Sequence, residues 1–265
     1  MFKRSFSSKD RVGKSVKPVK KTYRDQTKVK LQEKLGSPPI EGNLAGPIVT
    51  LVVGRDQRLF AAHEDVLSLS PFFSAALKHQ ILDGSSKQIS LQDEEPEIFS
   101  CVLEYLYKGD YYPRLLHSKR RNSWYLEDAK DPHKTGGRGS SESVVFHPGV
   151  GNFILRDTAI YCAAEKFGLD DLKGLALKKQ GLQIGIPVDV ILRSARYTYN
   201  NTPDSESRLR AHFLALIIRS RKTFKRSGTM QMEMESGGKL FFDLFVAMCN
   251  HIDDLVEISR SPKVI

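Results

Sequence analysis

The feature that most constrains this chain is a series of short apolar segments, separated by turn residues, within Val49–Tyr112. Two runs of strand composition, Thr50–Val53 and Leu59–Ala61, flank a Gly-Arg-Asp-Gln stretch that is typical of a hairpin turn. Gln88–Leu91 is a third strand candidate. Strands this short are stable only when they pack on other elements, so the pattern predicts a small, mostly three-stranded sheet covered by helices.

The segments between and after these strands have a helical pattern. His63–Leu69 is a short amphipathic stretch, and Ser70-Pro71 predicts the start of a second helix, because Pro is favoured in a first turn. Pro96 begins a helix with apolar residues at i, i+3, i+4 and i+7, and Gly109 predicts its end. Those apolar positions are Phe99, Val102, Leu103 and Leu106.

In this order, the landmarks resemble the BTB/POZ domain, a protein–protein interaction fold. They are the hairpin, Ala62-His63, Val66-Leu67, Ser70-Pro71-Phe72-Phe73, Ile89–Leu91, Pro96-Glu97-Ile98-Phe99 and Leu106-Tyr107-Lys108-Gly109. The resemblance continues at residues 155–180, which look like the paired helices that complete such a domain, with Gly168 as the stop between them. It implies an α+β protein: a BTB/POZ fold with a small sheet and a helical cluster, followed by a C-terminal helical extension.

We predict six segments along the chain. They are a disordered basic tail (1–45), a BTB/POZ core (46–113), a long irregular insertion (114–152), helices completing the module (153–181), a C-terminal helical extension (182–257) and a flexible end (258–265). In the insertion, Trp124-Tyr125-Leu126 is an apolar cluster that would dock locally, and Val144–Phe146 would return as an edge strand.

The extension has its own helix signals. Pro187 predicts a helix through Tyr199, and Thr202-Pro203-Asp204 predicts the start of the next. Lys225–Gly238 is loop-like, and Leu240–Ile252 is a final helix. That helix places Phe241, Leu244, Phe245 and Met248 in register. Residues 199–214 are similar to the helical extension of many fungal BTB-containing proteins.

The net charge of +10 is concentrated in the tail, where residues 1–40 hold twelve Lys or Arg against three acidic residues. A segment with so few apolar residues cannot offset its ordering entropy, which predicts disorder. Three interpretations of the charge remain open: a solvated tail without a partner, a nuclear import signal, and a nucleic-acid contact. No recognition helix or aromatic interleaving supports the last of these.

The sequence shows no catalytic, cofactor-binding or metal-binding pattern. Cys101, Cys162 and Cys249 are far apart and without zinc-site spacing, which predicts buried free thiols in an intracellular protein of the nucleus or cytoplasm. His63 and Asp65 have local roles in a strand-to-helix turn and a first helical turn. We therefore predict a protein that is not an enzyme, has no cofactor and does not associate with a membrane.

The resemblance implies a protein-interaction function with two groups of contact residues. The first helical hairpin carries candidate homodimer contacts. They are Leu67, Leu69, Phe72, Phe73 and Leu77. In adaptors of cullin-3 ubiquitin ligases, the segment between the second helix and the third strand carries a hydrophobic residue, then any residue, then Glu. In this chain Ile81 occupies the hydrophobic position and Asp83 the position of the Glu. Asp-Gly here also favours a simple turn.

Two positions depart from the family pattern, because Ile48 replaces a common acidic residue and Glu64 a common basic one. A buried ion pair that some relatives build there is therefore not expected. The alternatives to a cullin-3 adaptor are a nuclear or chromatin-associated regulator that uses the tail, with nucleic acid as partner, and a non-catalytic dimeric scaffold.

Overall fold

A computed structural model of the chain describes residues 46–83, 88–127 and 142–260. The expectations for the basic tail, residues 1–45, lie outside the described residues, as do those for residues 261–265. The described residues form small sheets, a helical cluster and a C-terminal helical region, which confirms the predicted α+β class. No helix in this part of the chain is long and apolar enough to cross a membrane.

The first sheet grows from the predicted hairpin. β1 (Ile48–Val53) and β2 (Arg58–His63) pair antiparallel, and β3 (Gln88–Leu91) pairs parallel with β1, giving the order β2-β1-β3. Gly54 turns the hairpin with φ of +78°, a region that glycine enters without steric cost. A Cβ at Gly54 would lie 3.0 Å from two ring carbons of Pro96, so glycine also allows the turn to approach the next helix.

Three helices accompany this sheet: α1 (Glu64–Leu67), α2 (Pro71–Asp83) and α3 (Pro96–Lys108). As predicted, Pro96 lies in the first turn of α3 and Gly109 ends it in the left-handed conformation, with φ of +72°. The fully buried side chains of α3 are Ile98, Phe99, Val102 and Leu106.

The predicted irregular insertion needs a correction, because its described residues form two antiparallel hairpins. β4 (Leu115–Ser118) pairs with β5 (Ser123–Leu126), and β6 (Val144–His147) pairs with β7 (Asn152–Leu155). Trp124 gives β5 a buried anchor in the main core. Neither hairpin has the Asn-Gly or Asp-Gly turn that marks hairpins in sequence, so composition alone suggested a loop.

Two helices form the centre of the molecule. α4 (Arg156–Lys166) is buried over most of its circumference, and α5 (Asp170–Gln180) follows after Gly168, whose φ is +69°. Between them, the ring of Phe167 stacks on Phe73 of α2, with centroids 5.0 Å apart. The paired helices that the sequence predicts are therefore present, with the glycine stop between them.

The C-terminal region contains α6 (Val188–Asn201), α7 (Arg208–Arg219), α8 (Arg221–Phe224), α9 (Gly228–Glu235) and α10 (Lys239–Arg260). The predicted start of α7 at Thr202-Pro203 is wrong. The Thr202 hydroxyl instead donates to the Thr198 carbonyl at 2.8 Å and closes α6. The predicted loop at Lys225–Gly238 contains α9, and α10 extends well beyond Ile252.

The C-terminal helices share the hydrophobic core of the first sheet. One continuous cluster of buried residues extends from Val49 on β1 to Leu240 on α10. A small second cluster joins Leu192 of α6 to Leu244 of α10. The region after α5 is thus held to the rest of the molecule by apolar packing, the main favourable contribution to folding.

Candidate protein-interaction surface

The two faces of the first sheet differ in what they contact. The core face carries the odd-numbered side chains of β1, and Val49, Leu51 and Val53 are fully buried. The opposite face carries Ile48, which is 63% exposed, and Leu59, which is 69% exposed. We call this opposite side the outer sheet face. Its members are Ile48, Thr50, Val52, Leu59, Ala61, His63, Gln88 and Ser90.

The outer sheet face has no Asp, Glu, Lys or Arg. On the solvent-facing side of an antiparallel strand pair, the side chains are usually polar. Protein interfaces have the opposite composition, since charged residues are depleted at their centres. Covering this face would desolvate no charge, so its chemistry suits a protein partner better than an ionic or small polar ligand.

His63 at the end of this face has a positioning role. Its backbone N–H donates to the hydroxyl of Tyr107 at 2.9 Å, and its ring Nδ1 lies 2.8 Å from the same oxygen. His63 is also the residue that precedes α1, in the extended conformation. The side chain thereby fastens the strand-to-helix turn to α3.

The predicted homodimer contacts are mostly core residues, which corrects that assignment. Leu67 and Phe73 are fully buried, and Leu77 is 4% exposed. Phe72 is half-buried, with its ring 5.3 Å from that of Phe167, and only Leu69 is substantially exposed, at 46%. The apolar side chains of α1 and α2 that the sequence suggested as a dimer surface are instead mostly part of the main core, and Phe72 and Phe73 pack against Phe167 between α4 and α5.

The predicted cullin-3 contacts, Ile81 and Asp83, lie in the last turn of α2 rather than in a loop after it. Their side chains lie outside the described residues. Positions 81 and 83 are two residues apart on one helix, or ~200° around its axis at 3.6 residues per turn. A partner that contacts both positions must therefore bind around the end of the helix.

Sequence reasoning missed a buried ion pair next to α3. The Lys179 ammonium on α5 lies 2.5 Å from the carboxylate of Asp110, and it also donates to the Tyr111 and Pro113 carbonyls at 2.5 and 2.8 Å. Asp110 in turn accepts from the backbone N–H of Tyr111 and Leu115. This pair differs from the buried ion pair of some family members, which is not expected here because Ile48 and Glu64 occupy the corresponding positions.

Burial raises the pKa of the Asp110 carboxyl and lowers the pKa of the Lys179 ammonium, while their mutual attraction opposes both shifts. Every donor and acceptor named here is already used within the chain. The network therefore holds the segment after α3 against α5, and it has no open position for a ligand.

The cysteine thiols and the arginines at the surface cavity also show no catalytic arrangement. Burial raises the pKa of the Cys101 thiol to about 11 and raises that of Cys162 as well, so both thiols are poor nucleophiles at neutral pH. A cavity of about 370 Å³ is lined by His147, Arg193 and Arg196, but both arginines already pair with carboxylates. The described residues contain no His, Cys, Asp or Glu cluster that could hold a metal ion.

These features define a class of protein: a small α+β module with an uncharged exposed sheet face and no catalytic arrangement in the residues described. Comparison with known families agrees, since residues 49–120 match the BTB/POZ domain. The chain therefore contains a BTB/POZ domain, a member of a non-catalytic family that mediates protein–protein and homodimer interactions. No curated protein matched the sequence.

Proposed function

We propose that this chain is an adaptor that recruits a protein partner through its BTB/POZ module. The single observation that carries the proposal is the uncharged outer sheet face with its exposed Ile48 and Leu59. Ile48 and Leu59 lie near opposite ends of this face, and Val52 beside Leu59 is 8% exposed, so the face offers two separate apolar contacts. Exposed apolar side chains on a surface without charged groups are typical of interaction sites. An intracellular location, in the nucleus or cytoplasm, belongs to the same proposal.

The specific partner that we propose is cullin-3. Its support is the resemblance of residues 79–83 to the contact segment of ligase adaptors, and that segment leads through residues 84–87 into β3. The outer-face residues Gln88 and Ser90 belong to this same strand.

The test is direct binding of the purified full chain to the purified cullin-3 N-terminal region. Ile81→Ala should weaken binding by about 2 kcal/mol, or roughly thirtyfold, because truncating a side chain that is buried at the centre of an interface costs about that much. Asp83→Ala should cost less than about 1 kcal/mol, as a rim charge does. Failure of the wild-type chain to bind at concentrations where an established adaptor binds would end the cullin-3 proposal.

A matched pair of surface variants tests the sheet face itself. Leu59→Glu places a charge on that face and should weaken binding at least tenfold, since the carboxylate would be desolvated on association. Ile184, which is 90% exposed between α5 and α6, provides the control. Ile184→Glu makes the same change elsewhere and should leave binding unchanged; equal effects of the two variants would exclude the sheet face as the contact.

A further inference from the structure

Beyond Leu244, α10 carries a line of apolar side chains that are largely exposed among the described residues. Its first two turns are anchored, since Leu240 and Leu244 are each 3% exposed and Asp243 accepts from the Tyr199 hydroxyl at 2.9 Å. Beyond Leu244, none of its described side chains is fully buried. α10 thus begins on the body of the molecule and runs on beyond the packing that holds it.

The exposed side chains of α10 follow a heptad pattern. Phe245, Met248, Ile252 and Leu255 are spaced by three, four and three residues, and each is 42–65% exposed. We call these four residues the α10 stripe. Such spacing is the signature of helix-on-helix packing in coiled coils. Asn250, Asp253, Asp254 and Glu257 occupy the other side of the helix.

The α10 stripe forms a continuous exposed apolar strip along one side of the helix. Its four side chains are 42–65% exposed and together expose roughly 350–400 Å², taking about 150–200 Å² for a complete side chain. Four further apolar side chains of α10 are exposed, but at ~100° per residue Val246 lies on the side of Asn250, so the eight do not form one patch. A standard interface buries ~800 Å² on each partner, so the stripe with its flanking side chains corresponds to a small interface.

We propose that the α10 stripe pairs with the α10 stripe of a second copy of this chain, in antiparallel orientation. The stripe is self-complementary: aligned about Asn250, Phe245 of one copy faces Leu255 of the other, and Met248 faces Ile252. A two-fold axis uses the same surface on both copies, which is the commonest way to form an oligomer. The antiparallel arrangement keeps the two folded bodies, each anchored at Leu240, at opposite ends of the pair.

This pairing uses no residue of the BTB/POZ module and does not depend on cullin-3 binding. It would give each assembly two recruiting modules at a fixed separation. Two linked modules bind a multivalent partner more tightly than either does alone, because the second contact becomes intramolecular. Pairing through α10 would therefore make the recruiting protein bivalent.

Sedimentation of the full chain with two matched variants tests the pairing. The wild type should be a dimer at about 50 µM, a concentration well above the Kd of a stable interface. Ile252→Asp buries a carboxylate in the stripe and should give a monomer. Asn250→Asp places the same carboxylate on the opposite side of the same helix and should remain a dimer. Thermal unfolding of both variants checks that each is folded.

Cross-linking tests the orientation. In an antiparallel pair aligned about Asn250, the two Cys249 thiols lie on the same flank near the centre. A short bis-maleimide should therefore link the wild-type dimer, and Cys249→Ser should abolish the link. A wild-type monomer would overturn the pairing, and it is also the result expected if the basic tail or another protein covers the stripe. A dimer that survives Ile252→Asp overturns it too, and a dimer without the Cys249 link overturns the antiparallel orientation.

Discussion

At the residue scale, Lys179 connects parts of the chain that are far apart in sequence. Its ammonium is 1% exposed and holds Asp110 together with two backbone carbonyls of the segment that leaves α3. A buried ion pair contributes little net stability relative to an apolar pair, but loss of one partner leaves an uncompensated charge. Lys179 is therefore a residue whose removal should be costly.

We predict that Lys179→Met lowers the free energy of unfolding by about 3–5 kcal/mol, since Asp110 would keep its burial and lose its cation. Urea unfolding measures the change. Lys108 is the control: it is an exposed lysine paired with Glu104 one turn away. Lys108→Met should cost no more than about 0.5 kcal/mol. Similar losses for the two variants would show that the buried pair has no special structural role.

Sequence reasoning did not find this residue for a physical reason. Lys178 and Lys179 are neighbours in the last turn of α5, and a basic residue is favourable there on any helix. Only Lys179 faces Asp110, because the chain after α3 folds back over that side of α5. A side chain's role is set here by a long-range contact, which a local pattern does not contain.

At the scale of elements, the β1–β2 turn and the start of α3 fit together closely. Gly54 donates its N–H to the Leu91 carbonyl at 3.0 Å and lies against the ring of Pro96. Gly151, between β6 and β7, has a similar φ of +68° but has no atom near the position of a Cβ. A side chain at either glycine would suffer the strain of a positive φ, but only a side chain at Gly54 would also be crowded by Pro96.

We predict that Gly151→Ala costs about 1–2 kcal/mol, the strain of a left-handed conformation for an L residue. Gly54→Ala should cost at least ~1 kcal/mol more, because overpacking adds to the same strain. Chemical denaturation of both variants gives the difference. Equal costs would mean that the Pro96 ring moves aside freely, and the turn would then not fix the position of α3.

The elements that the sequence predicts well are those with local signals. The hairpin glycine, Pro71, Pro96, Gly109 and Gly168 mark helix and turn boundaries through their own backbone preferences, and each lies where expected. The β4–β5 hairpin was missed because its stability comes from Trp124, which docks on distant residues. The start of α7 was misplaced because Arg210 holds Thr202 and Asp204 in a loop, outside the helix.

At the scale of the whole molecule, the BTB/POZ module and the C-terminal helices share one hydrophobic core, and two of the exposed surfaces in the described residues are proposed contact surfaces. The outer sheet face belongs to the module, and the α10 stripe belongs to the far end of the chain. The family match covers residues 49–120, which include the outer sheet face except Ile48 and do not reach α10. The proposed adaptor recruits through one surface and pairs through the other.

The candidate site was only partly predictable at this scale. The sequence identified the family and the first helical hairpin, but it could not tell that Leu67, Phe73 and Leu77 are buried in the main core, where Phe73 stacks on Phe167. The sequence predicted a helix with Leu244, Phe245 and Met248 in register, and the structure buries Leu244 but leaves Phe245 and Met248 exposed. An apolar face predicts that something packs there, and only the tertiary structure decides whether the same molecule supplies it.

The central claim is recruitment of a protein partner by the BTB/POZ module, and the most direct test is the mass of the complex with cullin-3. Light scattering of the full chain mixed with the cullin-3 N-terminal region should give one species containing two copies of each protein. Ile252→Asp should give one copy of each, because it separates the α10 helices and leaves the module intact. Two species with the masses of the unbound proteins, under conditions where an established adaptor forms its complex, would contradict the account.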